Sequence, residues 1–267
     1  MENNFNAMPN STNPSTESVS TAQPALQRVL KSAQAFTDRH QSDPAISLTY
    51  RYFTQHPVAR LNQKRLLMML QTVSQRSAEL KRPLRILDLA CGGGLVTCAL
   101  ASMGHRTLGL DFNAAEIRMA RLFAQEEKLD GMFVQTDLIQ DPAWEQAAQE
   151  TLGGKPDIVT LAYALHHLPE VSAFVARLGR WLEPPSLLLI NEENPRSPMF
   201  RLKHRVRTWI QKDTETEWHQ SIDQWRDLVQ THGFGGLSNV KGLDMLPGMS
   251  RVKPELCWSI VFSAQRS

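Results

Sequence analysis

The sequence predicts an α/β fold built on an open, mostly parallel sheet with helices on both faces. Three observations carry that reading. Short apolar segments alternate with helical stretches from Arg85 to Ile190, a cluster of three glycines follows the first of them, and acidic residues stand at the ends of successive segments. Short strands joined by crossover helices are buried on both faces, so they read as continuous apolar runs rather than as half-polar alternation.

Before the alternation begins, residues 1–24 are mostly Asn, Ser, Thr and Pro, with Glu2 and Glu17 as the only formal side-chain charges. Such a stretch has little to bury and reads as a disordered tail. It lacks a basic region followed by an apolar run, so it does not read as a secretory signal. Residues 25–82 form a helical cap. Leu26, Val29, Leu30, Ala33 and Phe36 share one helical face, and a second helix is expected over 58–75, with Leu61, Leu66, Met69, Leu70 and Val73 inward. Pro83 closes the cap.

Five strands then follow, at 85–89, 107–110, 132–135, 158–162 and 187–190, with helices between them, among others at 114–125 and 171–181. A lid-like insert spans 195–220. Within it, residues 196–212 hold six basic residues and no acid, with Met199, Leu202, Val206, Trp209 and Ile210 on one helical face. This basic amphipathic helix suits a lid, a membrane surface or an anionic partner. Ser221 and Gln224 make a capping box for a helix to His232, and Gly233 stops it. Residues 237–245 and 256–263 read as two further strands, joined by a loop with a Pro247-Gly248 turn.

The composition narrows the function. The 29 Lys and Arg residues nearly match the 27 acids, so bulk charge does not mark a nucleic-acid binder. The apolar runs are too short to span a bilayer. Three cysteines at 91, 98 and 257 give no disulfide framework and no zinc spacing, which points to a reducing cytoplasm and to no metal.

In an open parallel sheet, ligands bind beyond the carboxyl ends of the strands. There the first strand presents Asp88-Leu89-Ala90-Cys91-Gly92-Gly93-Gly94, the second Asp111-Phe112, the third Asp137-Leu138, the fourth Ala162 and, farther on, His166-His167, and the fifth Glu192-Glu193. A phosphate-binding loop needs Lys-Ser/Thr after the glycines, where Leu95-Val96 stands. A dinucleotide fingerprint fits Gly92 and Gly94 but meets Thr97 at its third glycine. Asp111 can accept both hydroxyls of a ribose, Phe112 offers a wall to a flat base, and Asp137 can accept an adenine amine while Leu138 offers its amide to the ring. Alone, either acid reads as a helix cap or a turn; together at successive strand ends they favour a nucleoside pocket.

The ordered segments 86–94, 108–111, 135–138, 157–159 and 164–168 resemble the motifs of class I S-adenosylmethionine (SAM)-dependent methyltransferases. The resemblance covers residues 85–190 well and extends more loosely through 225–234 and the last two strands. It implies a Rossmann-like sheet of seven strands, mostly parallel with an antiparallel C-terminal strand, and a methyltransferase domain over 83–267. It also implies SAM as cofactor, with S-adenosylhomocysteine (SAH) as product. Asp88, Ala90, Gly92 and Gly94 would belong to the methionine end, Asp111 would take the ribose, Phe112 and Leu138 the adenine faces, Asp137 the adenine amine, and Ala162 the methionine amino group. Ala90 departs from the family where many members carry a glycine. Arg51 is a candidate partner of the methionine carboxylate.

Methyl transfer needs a general base only when the acceptor holds its proton. Candidates are His166, His167, Glu192, Glu193 and His219, with His167 first because it ends the segment facing the methyl in this family, and Glu193 beside it. The leading expectation is a methyltransferase acting on oxygen, nitrogen or carbon of a small molecule, in specialised metabolism. An RNA or protein methyltransferase docking through residues 196–212, and a SAM-binding protein without transfer, are the alternatives.

Overall fold

The chain forms, in order, α1 (Ser15–Arg39), α2 (Ala59–Leu80), β1 (Arg85–Leu89), α3 (Leu95–Ala101), β2 (Arg106–Asp111), α4 (Ala114–Glu126), β3 (Met132–Gln135), α5 (Trp144–Leu152), β4 (Ile158–Ala162), a 3-10 turn (Leu165–His167), α6 (Val171–Trp181), β5 (Leu187–Glu193), α7 (Ile222–Thr231), β6 (Ser238–Leu243) and β7 (Ser259–Gln265). These elements come from a computed structural model that describes residues 15–40, 42, 50–168, 170–202, 205, 219–243, 257 and 259–267. Most of the basic 196–212 segment, most of the 195–220 insert and the Pro247-Gly248 turn lie outside the described residues.

One seven-stranded sheet has the order β3-β2-β1-β4-β5-β7-β6. The first five strands are parallel, and β7 runs antiparallel to both β5 and β6. Strand order therefore reverses at β1, which pairs with β2 on one side and β4 on the other. The crevice beyond the carboxyl ends of these strands is where such a sheet binds ligands.

Alternation along the strands explains the two cores. Ile86, Ile158, Leu187 and Leu189 face a layer made by α1 to α4, while Leu87, Val159, Leu161, Leu188 and Ile190 face α5 to α7. Both sets are buried, as the continuous apolar strands required.

Three boundaries differ from the sequence reading in ways that bear on the packing and the site; β2 and β7 also run one or two residues past their expected ends. α1 opens at Ser15, inside the segment expected as a disordered tail; residues 1–14 lie outside the described residues. Ala22 and Ala25 are buried and carry the apolar stripe of Leu26 and Val29 backwards, where small side chains among polar neighbours gave little signal. Thr21 and Ser74 hydroxyls, 2.7 Å apart, tie this turn to α2. α2 itself runs to Leu80, past the expected end at Gln75, and ends on Lys81 in the left-handed conformation (φ 51°) without the usual glycine signal. β5 continues to Glu193 because Asn191, Glu192 and Glu193 pair with Val261, Ile260 and Ser259 of β7. Glu192 and Glu193 therefore sit on a strand and not in a loop.

Candidate active site

The glycine loop after β1 is held from below by Asp88. Its carboxylate is buried and accepts hydrogen bonds from Thr97 Oγ1 (2.6 Å) and Thr160 Oγ1 (2.7 Å). Burial pushes the Asp88 carboxyl up to about 6, against the pull of those two hydroxyls, with the nearby charge of Asp111 adding to the rise. Thr97, which occupies the place of a third glycine, is thus an anchor of the loop.

The loop turns through three left-handed residues, Ala90 (φ 53°), Gly92 (φ 51°) and Gly94 (φ 76°). Gly94 begins α3 where a Cβ would lie 2.5 Å from the Phe133 ring and 2.8 Å from Ala120 Cβ, so only glycine permits that approach. Gly94 is a packing residue; Ala90, Cys91, Gly92 and Gly93 are the loop residues that face the cavity described next. Tyr50, fully buried against Phe36 and Phe123, donates its hydroxyl to Gly93 O at 2.6 Å and so pins the helical cap to the loop.

A cavity of about 780 Å³ opens over these strand ends, roofed by residues of the cap. That volume lies within the usual range for sites that take small molecules and cofactors. Asp111 stands in its wall. Its Oδ2 accepts Gly92 N–H and its Oδ1 accepts Asn113 N–H, each at 2.8 Å. A carboxylate has about four acceptor positions, so each oxygen keeps capacity for a hydroxyl. The cap of α4 is Asn113, which accepts from Ala115 and Glu116 amides, leaving Asp111 to the cavity. Phe112 is 72% exposed on the same wall, an unusual position for a large apolar ring.

Asp137 and Leu138 are placed differently. Asp137 Oδ1 accepts the amides of Ile139 and Gln140, which makes it the turn residue after β3. Leu138 is buried in the core, and its carbonyl accepts the Trp144 indole N–H. The wall of the cavity does not include either residue.

Arg65 is the least expected member of the wall. It is buried to 4% exposure, its Nη1 donates to Asn62 Oδ1 at 3.0 Å, and its Nε and Nη2 have no hydrogen-bond partner among the described residues. Burial pulls its guanidinium down to about 9, with Glu193 and Glu192 pulling the other way. The guanidinium lies 4.4 Å over the ring of Tyr163, a non-glycine residue held at φ 57°. A buried cation with two donors unmet is suited to a carboxylate ligand. Arg51, by contrast, is exposed and absent from the wall. The signal for Arg65 was its spacing: four residues from both Leu61 and Met69, it falls on the apolar stripe of α2.

The β4–β5 side supplies side chains. Ala162, His166, His167 and Glu193 line the cavity. Glu192 is buried at the end of β5, accepts the amides of Ala164 (3.0 Å) and Leu165 (2.8 Å), and has its Oε2 2.7 Å from His166 Nδ1. Its position on the face of Leu188 and Ile190 follows from the two-residue period of the strand. The His166 ring lies 4.0 Å from that of His167 and 4.9 Å from that of His219.

A seven-stranded sheet of this order, with a glycine loop after the first strand and an acid after the second, defines a class I SAM-dependent methyltransferase domain. The comparisons with known proteins agree. A methyltransferase domain family matches residues 58–239, more than half of the chain, and the chain belongs to that family.

The ubiquinone biosynthesis O-methyltransferase of Nitrosococcus oceani is 32% identical over 118 residues, covering 43% of this chain and 47% of the relative. Its counterpart in Acinetobacter baylyi is 28% identical over 120 residues, covering 44% and 48%. The matches thus span about half the length of these relatives. Among solved structures, magnesium protoporphyrin IX methyltransferase from Synechocystis PCC 6803, with bound SAH, covers 81% of this chain and 97% of its own at 20% identity and a TM-score of 0.54. The CurJ carbon methyltransferase covers 97% and 72% at 18% identity and a TM-score of 0.58. These two likenesses are of fold. No described helix is long and apolar enough to cross a membrane.

Proposed function

We propose that this protein transfers a methyl group from SAM to a small-molecule acceptor, foremost to an oxygen atom. The observation that carries the reading is the meeting, in one cavity, of a buried guanidinium with two unmet donors and a carboxylate with spare acceptor capacity. When bound, SAM supplies a methyl group on an electrophilic sulfonium centre.

The chain's residues fit that ligand. Arg65 holds the methionine carboxylate. Ala90, Gly92 and Ala162 approach the methionine portion through backbone, Asp111 takes the ribose hydroxyls, and Phe112 covers one face of the adenine. Asp88 acts from beneath by fixing the loop. His167 and Glu193 contact the acceptor. With both reactants held in one enclosed space, positioning supplies a large part of the rate. Preference for an oxygen acceptor rests on the relatives, which are named O-methyltransferases.

The test is transfer of a tritiated methyl from SAM to a panel of phenols, carboxylates, amines and enolisable ketones, with bulk tRNA and protein as competitors. Label is expected in an organic-soluble small product, with a rate indifferent to salt. Label retained only in tRNA or protein, with a steep salt dependence, would overturn the small-molecule reading.

A further inference from the structure

We infer that His166, oriented by Glu192, is the general base that takes the acceptor's proton, and that His167 is not. This rests on the methyltransferase reading and assigns the proton transfer within it.

Two backbone amides donate to Oε1 of the buried Glu192, and His166 Nδ1 lies 2.7 Å from its Oε2; amides can only donate, so they favour the anion. An acceptor-only carboxylate surrounded in this way is the ionised form. The His166 Nδ1 therefore carries a proton, and the basic lone pair of the neutral ring is at Nε2. The same two amides lock the 3-10 turn (Leu165–His167) onto the carboxyl end of β5, a strand paired on both sides, so the base rides on the rigid sheet. The rings of His167 and His219 flank it at 4.0 and 4.9 Å, the latter within 18° of parallel, and fix its plane. His166 is buried yet forms part of the cavity wall, whereas His167 is exposed.

A hydroxyl acceptor keeps its proton at neutral pH and is a weak nucleophile until that proton leaves. The acceptor O–H gives its proton to Nε2 as the oxygen–methyl bond forms. The breaking carbon–sulfur bond leaves its electron pair on sulfur as a neutral thioether. The resulting imidazolium is stabilised by Glu192 and returns its proton to water. Glu192 is a positioning residue. Among the described residues, the groups facing the ring include Glu192, His167 and His219, with Glu193 and Arg65 on the same cavity wall.

The experiment compares wild type, H166Q, H167Q and E192Q. Nitrogen NMR of the ring in the SAH complex reads the tautomer, calorimetry reads SAH affinity, and catechol as acceptor probe gives kcat against pH. In wild type, His166 is expected as the Nδ1–H tautomer, a preference that weakens in E192Q. H166Q should lower kcat at least ~100-fold, the lower end for loss of a general base, with SAH affinity unchanged. H167Q, at a residue that contacts the acceptor, should raise the acceptor KM while leaving the acidic limb of the kcat profile in place, the split expected of a binding residue and not of the base. E192Q should move the acidic limb of the kcat profile to lower pH, because loss of the neighbouring anion makes the imidazolium easier to deprotonate.

An Nε2–H tautomer in wild type, or full turnover in H166Q, overturns the proposal while leaving SAM binding intact. A wild type that binds no SAH overturns the underlying methyltransferase reading as well. Should H166Q not fold, the limb in E192Q decides, and an unmoved limb counts against Glu192 and His166. If catechol is not turned over, the tautomer decides.

Discussion

The two halves of the cavity are built from different materials. On the β1–β2 side the glycine loop presents backbone, shaped by left-handed residues and supported by Asp88, Thr97 and Thr160 from beneath, with the side chains of Asp111 and Phe112 beside it. On the β4–β5 side it is side chain: His166, held by the buried carboxylate of Glu192, with His167 and Glu193. A backbone surface depends on conformations that few residues tolerate, so it leaves a motif. A side-chain surface depends on which of two adjacent residues faces inward, which the strand and the turn decide.

If that contrast is right, the backbone half should be intolerant of a single carbon. Gly94→Ala places a Cβ 2.5 Å from the Phe133 ring at φ 76°. It should cost roughly 2–5 kcal/mol of stability, combining overpacking with a left-handed alanine. Urea unfolding checks this, and a loss below 1 kcal/mol would mean that Phe133 yields easily.

The next effect tests the cavity and not the fold. Arg65→Met should weaken SAH binding by roughly 1.5–3 kcal/mol, the range for a charged hydrogen bond. It should leave thermal stability equal or higher, since a buried and incompletely partnered charge gives way to an apolar side chain. Calorimetry and a melting curve on the same sample separate the two. A drop in stability with unchanged affinity would make Arg65 structural.

Asp88 gives the pH signature of the loop. Folded, it keeps its proton up to about 6, whereas its ordinary value is 3.8. Between those values the native state binds more protons than the unfolded state. Stability therefore falls as pH rises through this window, by at most ~1.4 kcal/mol per pH unit, and the loss is complete above the folded value. Asp88→Asn should flatten that slope in unfolding curves recorded from pH 4 to 7. Parallel slopes in the two proteins would refute the burial argument.

The smallest effect is at Ala90, which occupies a left-handed position with a Cβ. Ala90→Gly should leave SAH binding unchanged and stabilise by up to about 1 kcal/mol, the relief of that strain set against the greater freedom of an unfolded glycine. A falling melting temperature would show that the methyl group packs usefully.

Much of this architecture was legible in advance. The five core strands, the glycine loop after β1 and the position of Asp111 and Phe112 at the end of β2 followed from apolar runs and from what stands at their ends, and the antiparallel C-terminal strand from the family resemblance. The start of α1 was not, because Ala22 and Ala25 contribute small buried surfaces among polar neighbours. Asp137 and Leu138 read as adenine contacts by their place after β3, yet Asp137 bonds its own turn and Leu138 packs under Trp144. Arg65 left a faint trace as a cation on an apolar stripe. The pairing of His166 with Glu192 was beyond sequence reading, because it depends on β5 running three residues longer, and that extension is set by β7 more than sixty residues away in the chain.

The central claim is that these strand ends enclose one adenosyl thioether. A crystal structure of the full chain with SAH tests it most directly. The account predicts the ribose hydroxyls on Asp111, the adenine against Phe112 and the amino-acid carboxylate on the two donors of Arg65 that have no partner. SAH bound elsewhere, or seated in this crevice with Arg65 still unpaired, would contradict it.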